Sequence, residues 1–207
     1  MFGGSFSPVH KGHMAVARGI LTQNLAEEVW MMPCKRNPLK GEAPKLSDFL
    51  RLELLRAAVE YYNNMVSTPG VVKVSDMELS LPAPSYTFKT MRKLEKEMPD
   101  VEWRLVVGAD SYIDFEKWYM WDKLEADYHP IVYPRPGHEL ESVRMNWDKL
   151  ENVELVDVSS TLIRNLLQKG ILDKTFMPWI EGRELLEEKL LDSFRQSDVE
   201  KTKIPNI

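Results

Sequence analysis

The sequence has very little cysteine and little histidine. Among its 207 residues there are one cysteine, Cys34, and four histidines. A single cysteine cannot form an internal disulfide, and without a cysteine cluster there is no pattern for a structural zinc ion. We therefore expect a reducing, cytoplasmic setting and no metal site built from protein side chains.

An excess of basic charge and a long hydrophobic run are also absent. The formal net charge is −5, whereas general nucleic-acid binders and proteins that attach to anionic membranes need a broad basic surface. The apolar runs fall far short of the ~20 residues that span a bilayer. Residues 1–15 do not resemble a signal peptide, because no basic start precedes an apolar run. We expect neither a nucleic-acid nor a membrane partner, and the oligomeric state is not indicated.

Short apolar runs typical of strands alternate with longer segments of helical periodicity. The predicted strands are the first residues of the chain, 28–32, 71–75, 103–107, 130–133 and 153–156. The predicted helices are 12–24, 48–63, 87–97, a broken one at 111–125, 161–169 and 179–195, with Ser47 and Ser160 as N-caps of two of them. This alternation predicts a Rossmann-like α/β fold, an open parallel sheet with helices on both faces. We expect one domain over residues 1–195 and a mobile tail over 196–207.

In such sheets, ligands bind beyond the carboxyl ends of the strands. The stretch "GGSFSPVHKGH" (3–13) follows the first predicted strand. Gly3 and Gly4 allow a close approach of the backbone to a ligand. His10 and His13 share one face at the start of a helix, where free N–H groups and the helix dipole favour phosphate. Two histidines alone are a poor metal site, whereas a structural turn with solvated histidines is the competing interpretation.

Other chemically useful residues follow the later strands. Lys40 in "NPLK" is either a solvated lysine or a phosphate clamp. "SSTLIR" (159–164) is either an ordinary capped helix start or a second phosphate site with Arg164 above it. Asp110 is either a helix cap or a contact to a ribose hydroxyl, and Trp118 is either packed or stacked on a flat ring.

With these motifs in place, the chain resembles the nucleotidylyltransferase superfamily that carries the (H/T)xGH signature, here "HKGH" (10–13). More narrowly, it resembles the bacterial nicotinate-nucleotide adenylyltransferases. That likeness depends on the motifs already quoted together with "SDMEL", "PSYTFKTM", "VVGADSYIDFEKW" and "YPRPG", all in the expected order. It covers roughly residues 2 to 170.

The resemblance implies a reaction. ATP and nicotinate mononucleotide give nicotinate adenine dinucleotide and pyrophosphate on the route to NAD, with Mg²⁺ accompanying the triphosphate. No covalent enzyme intermediate is implied, so catalysis consists of positioning and charge stabilisation.

The resemblance also implies roles for individual residues. His10, His13, Lys40 and Arg164 are the implied catalytic residues, with Lys40 reaching a phosphate of the substrates. The acceptor ring lies at Tyr86, Thr87 and Trp118. The implied ATP-binding residues are Gly3, Gly4, Ser5, Phe6, His10, His13, Gly108, Asp110, Ser160, Thr161 and Arg164.

Two departures from the family pattern and two alternative functions remain. Members of the family carry an acid or amide where Ser7 stands; a hydroxyl also accepts hydrogen bonds, so we expect function to be kept. The chain begins immediately before Gly3 and Gly4, which would leave the central strand almost absent, and we expect the natural start upstream of Met1. The alternatives are a different acceptor (nicotinamide mononucleotide, pantetheine phosphate or glycerol phosphate) and a nucleotide-binding regulator that no longer catalyses.

Overall fold

The computed structural model describes residues 1–39, 43–138, 140, 142–153 and 156–201. Six strands form one sheet in the order β3-β2-β1-β4-β5-β6, and every neighbouring pair is parallel. The strands are β1 (Phe2–Gly4), β2 (Glu28–Pro33), β3 (Val71–Val74), β4 (Val106–Gly108), β5 (Ile131–Tyr133) and β6 (Asp148–Lys149). The helices are α1 (Lys11–Thr22), α2 (Asp48–Met65), α3 (Thr87–Glu97), α4 (Ala109–Tyr112), α5 (Trp121–Tyr128), α6 (Ser160–Gln168) and α7 (Glu184–Lys201). The predicted open parallel α/β sheet is confirmed.

Helices cover both faces of the sheet because successive residues of a strand point to opposite sides. Met31 and Val106 belong to one buried cluster, which α1, α2, α6 and α7 complete. Their neighbours Met32 and Val107 belong to a second cluster, completed by α3, α4 and α5. The strands are therefore buried on both faces, as the continuous apolar runs in their sequences predict.

β1 lies at the centre of the sheet although it is only 3 residues long. It pairs with β2 on one side and with β4 on the other. Val106 N donates to Met1 O at 2.9 Å, which extends the pairing by one residue. The central strand is thus short but present, and the expected upstream start of the natural chain stays a prediction.

The predicted strand at 153–156 lies only partly within the described residues. Val153 and Val156 lie in no strand, and residues 154 and 155 lie outside the described part of the chain. The sheet edge is formed earlier by β6, where Asp148 N donates to Pro130 O at 3.2 Å and Leu150 N donates to Val132 O at 2.8 Å. Both valines instead pack against the buried cluster on the α1 side, which explains their apolar character without strand pairing.

The final predicted helix, 179–195, was also misplaced. A short 3-10 turn (Pro178–Ile180) comes first, and α7 begins only at Glu184. Gly182 separates the two with a φ of +73°, which a regular right-handed helix does not contain. α7 then continues to Lys201, beyond the predicted end, and residues 202–207 lie outside the described part. The mobility of the tail and the single-domain boundary at 195 stay predictions.

Within the described part of the chain, no helix is both long and apolar enough to cross a membrane.

Candidate active site

A cavity of about 630 Å³ opens at the carboxyl edge of the sheet. Every predicted site residue that the structure describes lines it, whereas Lys40 lies outside the described residues. These lining residues are Gly3, Gly4, Ser5, Phe6, His10, His13, Tyr86, Thr87, Gly108, Asp110, Trp118, Ser160, Thr161 and Arg164. One composite site therefore contains residues from the carboxyl ends of three strands, β1, β3 and β4, and a set of residues at the start of α6.

The N-terminal loop (residues 5–10) follows β1 and lines the cavity. Phe6 has a φ of +42° and is 1% exposed. Its ring lies so close to Gly4 that a Cβ there would come within 3.0 Å of it. At the start of α1, a Cβ on Gly12 would come within 3.1 Å of Nδ1 of His10. Gly4 and Gly12 are thus needed for close packing of the buried rings, and the same lack of side chains leaves the backbone open to a ligand.

The N-terminal loop is held on both sides, by α6 and by Leu46, which precedes α2. On the α6 side, Nη1 of Arg164 donates to Ser7 O and Oγ of Ser160 donates to Pro8 O, each at 2.9 Å. On the other side, the Leu46 N–H donates to Oγ of Ser7 at 3.1 Å. Ser7 therefore accepts a hydrogen bond in the place where the family has an acid or amide.

The rings of His10 and His13 are in contact at the start of α1, with centroids 3.8 Å apart and planes tilted by 36°. The backbone N–H of His10 donates to Nδ1 of His13 at 3.1 Å. Burial, reinforced by the charge of Arg135, lowers the pKa of His10 from 6.5 to about 3. Burial, reinforced by His10 and Arg135, also lowers the pKa of His13 well below 6.5. Both rings are neutral at pH 7. Since Nδ1 of His13 accepts, its proton lies on Nε2, so His13 offers one neutral N–H donor.

Arg135, which follows β5, supplies positive charge to the cavity. Its Nε lies 3.5 Å from Oδ1 of Asp110, and its guanidinium lies 5.3 Å from the ring centre of Tyr133. Asp110 also accepts the backbone N–H of Ser111 at 3.0 Å. Gly108 is required beside them, because a Cβ would come within 2.4 Å of Oδ1 of Asp110 and within 3.0 Å of the Tyr133 ring. Asp110 is exposed, which leaves its second carboxylate oxygen accessible from the cavity.

The start of α6 is a second helix N-terminus at the cavity. Ser159, not Ser160 as predicted, is the N-cap, and its side chain accepts from Leu162 N at 3.1 Å. Ser160 is the first helical residue, and its hydroxyl donates a hydrogen bond to the carbonyl oxygen of Pro8 in the N-terminal loop. Oγ1 of Thr161 accepts from Nη2 of Arg164 at 2.8 Å. Arg164 is therefore anchored by both terminal nitrogens rather than projecting freely, and burial lowers its pKa.

The opposite wall of the cavity is aromatic. Trp118 is half-buried and packs at 5.3 Å on Phe115. Tyr86 is the N-cap of α3, but its side chain does not cap the helix. Its ring packs at 5.3 Å on Tyr119, which is 50% exposed. A flat indole face and the open first turn of α3, beginning at Thr87, thus lie on the same wall.

Sequence reasoning missed three charged residues at or behind this cavity. Arg135 lies in "YPRPG" and Glu78 in "SDMEL", both of which were quoted as motifs without a role for these residues. Arg51 is fully buried within α2. A signal existed for Arg51, because the helical spacing places it on the same face as Leu54, Leu55 and Ala58.

Residues able to hold a metal ion do not cluster here: among the described residues there is no group of three or more histidine, cysteine, aspartate or glutamate side chains suited to one. Asp110 is the carboxylate among the predicted site residues that line the cavity. The described residues of the cavity offer positive charge and hydrogen-bond donors.

Comparison with solved structures places this fold beside known enzymes. The nicotinic acid mononucleotide adenylyltransferase of Plasmodium falciparum, complexed with NaAD, matches with a TM-score of 0.67 at 19% identity, over 90% of this chain and 95% of that chain. A putative nicotinate-nucleotide adenylyltransferase from Vibrio parahaemolyticus matches with a TM-score of 0.60 at 21% identity, over 92% and 96%. At these identities the likeness concerns the fold.

Sequence relatives carry the classification further. A protein of Bacteroides fragilis named "Probable nicotinate-nucleotide adenylyltransferase" is 34% identical over 199 residues, covering 93% of this chain and 94% of the relative. A protein of Bacteroides thetaiotaomicron with the same name is 32% identical over 197 residues, with the same coverage of both chains. The model of the cytidylyltransferase-like family matches residues 1–166. The chain therefore belongs to the cytidylyltransferase-like family and, within it, to the nicotinate-nucleotide adenylyltransferases.

Proposed function

We propose that this protein transfers the adenylyl group of ATP to nicotinate mononucleotide, forming nicotinate adenine dinucleotide and pyrophosphate for NAD synthesis. A phosphate oxygen of the mononucleotide attacks the α-phosphorus of ATP. The bond between that phosphorus and the oxygen bridging to the β-phosphate breaks, and pyrophosphate leaves with the electron pair. No group of the protein is covalently modified, so the protein acts by positioning the two phosphates and stabilising their charge.

The observation that carries this proposal is that the N-termini of two helices, α1 and α6, meet at one cavity, which is also lined by the neutral donor His13 in the first turn of α1. Helix N-termini bind phosphate through free N–H groups and the helix dipole. His13 adds an Nε2–H whose orientation is fixed by the hydrogen bond from His10. A neutral donor fixed in advance stabilises charge that develops on the transferred phosphoryl group without having to reorient.

The remaining donor-side residues have distinct roles in this proposal. Arg135 offsets the charge of the polyphosphate, and its Nε is buried without a hydrogen-bond partner among the described residues. Asp110 accepts from a ribose hydroxyl of ATP. Arg164 and Ser160 act by holding the N-terminal loop, with Thr161 beside the phosphates. Lys40 reaches a phosphate from the loop that follows β2.

Acceptor recognition belongs to the aromatic wall. Trp118 stacks on the pyridine ring, while backbone N–H groups around Tyr86 and Thr87 receive the carboxylate of the acid form. An amide acceptor would place its NH₂ against these donors and leave a buried polar group unpaired, at a cost of about 1–3 kcal/mol. We therefore propose a preference for nicotinate over nicotinamide mononucleotide.

Magnesium enters this proposal as part of the substrate. The described residues hold no metal-ligand cluster, whereas the oxygens of a triphosphate are ligands that Mg²⁺ favours. We propose that ATP binds as its magnesium complex. The cytoplasmic setting stays a prediction that depends on the single cysteine.

The test follows the α-phosphate of ATP. With ATP labelled at that phosphate and nicotinate mononucleotide present, the label should enter a dinucleotide while unlabelled pyrophosphate is released in equal amount. Nucleotide binding without pyrophosphate release would instead support a non-catalytic regulator. Transfer to pantetheine phosphate or glycerol phosphate, but not to a pyridine mononucleotide, would reassign the acceptor.

A further inference from the structure

One buried side chain, Arg51, reaches from α2, behind the cavity, to the N-terminal loop that lines it. Arg51 has no exposed surface, and charged side chains are rarely buried to this extent unless they are paired or hydrogen-bonded. Its Nη2 donates to Oδ1 of Asp48 at 2.6 Å within the same helix, and its Nη1 donates to the carbonyl oxygen of Ser5 at 2.7 Å. Asp48 supplies the counter-charge, so the contact with Ser5 needs its own explanation.

The peptide unit that follows Ser5 depends on Arg51 for its orientation. Its neighbours along the chain are held by other contacts, because Gly4 O accepts from Cys34 N at 2.8 Å and Ser7 is bonded to the segments on both sides of the loop. Among the described residues, the bond from Arg51 is the hydrogen bond found for this peptide unit. Without it, the unit can rotate between two neighbours that stay in place.

The orientation of this peptide unit decides which of its groups faces the cavity. The Ser5–Phe6 peptide bond is trans, and a trans peptide unit points its C=O and N–H groups in opposite directions. Since Arg51 holds the carbonyl oxygen on the α2 side, the N–H of Phe6 points away from α2, towards the cavity that Ser5 and Phe6 line. No hydrogen bond from this N–H is found among the described residues, which leaves it as a donor for a ligand.

The backbone of Phe6 opposes this orientation. Its φ of +42° lies in the left-handed region, which is unfavourable for a residue with a bulky side chain. Rotation of the Ser5–Phe6 peptide unit by about half a turn would carry φ into the extended region that any residue adopts, and would turn the N–H out of the cavity. A contact on the carbonyl oxygen is therefore needed to hold the observed orientation, and Arg51 makes that contact.

We propose that Arg51 is a positioning residue for the phosphates of ATP, which acts by keeping the Phe6 N–H turned into the cavity. A donor that is oriented in advance stabilises negative charge without having to reorient during the reaction. This inference rests on the proposed adenylyl transfer and names a further determinant of that site. Without Arg51 the peptide unit rotates and its carbonyl oxygen faces the phosphates, so ATP binds less well, whereas the aromatic acceptor wall is unaffected.

The test observes the Phe6 N–H directly by NMR. In protein labelled with ¹³C at the serine carbonyl and with ¹⁵N in phenylalanine, a carbonyl-correlated amide spectrum reports only Ser-Phe pairs, and the sequence contains two, 5–6 and 193–194. The second pair lies in α7, away from the cavity, and serves as an internal control. Ser193→Ala removes the control signal and so assigns the other. When magnesium and α,β-methylene ATP are added to the unsubstituted protein, the Phe6 signal should move downfield while the control signal stays.

Replacement of Arg51 should remove most of that response. In Arg51→Met, the Kd of the analogue should rise roughly 10-fold, as expected for one lost hydrogen bond to a charged group. The KM for nicotinate mononucleotide should change by less than about 3-fold. A merely structural role would reduce the folded fraction without changing either constant of the folded molecules. Arg56→Met is the matched control, because Arg56 is an exposed residue of the same helix whose partner, Asp76, lies 3.4 Å away, and it should leave the Phe6 signal and both constants unchanged.

The contrary outcomes are distinct for the inference and for the proposed function. A Phe6 signal that does not respond to the analogue in the unsubstituted protein, or a response of full size in folded Arg51→Met, would overturn the inference. If Arg51→Met fails to fold, Arg51→Gln, with a polar side chain two bonds shorter, takes its place, and a response of full size there has the same force. Absence of pyrophosphate release by the unsubstituted protein, together with a normal Phe6 response, would instead reject the proposed function.

Discussion

The backbone N–H of His10 donates to Nδ1 of His13 at 3.1 Å, and the centroids of the two tilted rings lie 3.8 Å apart. This relationship fixes the tautomer of His13, because a ring nitrogen that accepts carries no proton. The lowered pKa of His13 excludes the imidazolium form at neutral pH. In this account, the signature histidine acts as a neutral donor of fixed orientation, not as a positive charge.

Replacement of His13 should mainly affect turnover. In His13→Ala, we expect kcat to fall about 100-fold or more with little loss of folding stability, since one donor to developing phosphate charge typically contributes a few kcal/mol. The measurement is steady-state pyrophosphate release beside thermal unfolding. His129→Asn is the matched control, because His129 is exposed, lies away from the cavity and has a positive φ that asparagine tolerates. Activity retained within a factor of about three would remove His13 from the catalytic role.

The charge of Arg135 should be visible in the titration of the histidines. Arg135→Gln removes a positive charge that holds down the pKa of His10 and His13, so both values should rise. Burial is the larger cause and remains, so neither pKa should reach 6.5. NMR titration of the ring protons measures both. The variant should also bind ATP more weakly. Unchanged pKa values of both histidines would mean that the charge of Arg135 does not act on them.

The pH dependence of stability should reveal Glu78. Burial raises the pKa of Glu78 from 4.5 to about 7, against the opposing effects of Ser85 and Arg51. The folded state therefore binds the proton more tightly than the unfolded state, and the resulting stabilisation, full below pH 4.5, is lost as the pH rises through about 7. The buried His10, with a pKa of about 3, has the opposite sign, since its contribution is present above pH 6.5 and is lost as the pH falls.

Removing the titrating group separates these two contributions. Between pH 4.5 and pH 8, the parent should lose about 2–3 kcal/mol of unfolding free energy that Glu78→Gln does not lose, because glutamine does not titrate. The difference in unfolding free energy between variant and parent should therefore move in favour of the variant as the pH rises. Denaturant unfolding at several pH values measures this shift. A difference that is independent of pH would show that Glu78 titrates near its ordinary value.

Trp118 should contribute affinity without discrimination. Trp118→Ala should raise KM roughly 10-fold for both nicotinate and nicotinamide mononucleotides, because stacking on a flat ring contributes about 1–3 kcal/mol and does not detect the carboxylate. The ratio of kcat/KM values for the two acceptors should therefore stay that of the parent. A variant that loses only the acid would show that Trp118 contacts the carboxyl group.

The fold and most of the site could be predicted from the sequence because their determinants are local. Alternation of apolar runs with helical segments predicted parallel strands, and parallel strands bring the residues that follow them to one edge. His10, Asp110, Trp118 and Arg164 could thus be assigned to one cavity although they lie far apart along the chain.

The wrong or missing parts depend on packing between distant segments. Val153 and Val156 are apolar because they cover the α1 side of the core, and a strand pattern does not distinguish that from pairing. Ser159 and Ser160 are equally suitable caps by residue type, and only the contact of Ser160 with Pro8 decides between them. Glu78 lies in a short polar turn that does not predict the burial of its carboxyl group, whereas the burial of Arg51 was signalled by its place on the apolar face of α2.

The most direct test of the account measures kcat/KM for nicotinate and nicotinamide mononucleotides side by side, with ATP saturating and pyrophosphate release as the readout. The account predicts turnover with both compounds and none in the enzyme-free control. It also predicts a preference for the acid of roughly 5- to 150-fold from one unpaired polar group. No pyrophosphate release with the acid would contradict the proposed function, and a ratio near one, or one that favours the amide, would contradict the proposed recognition of the carboxylate.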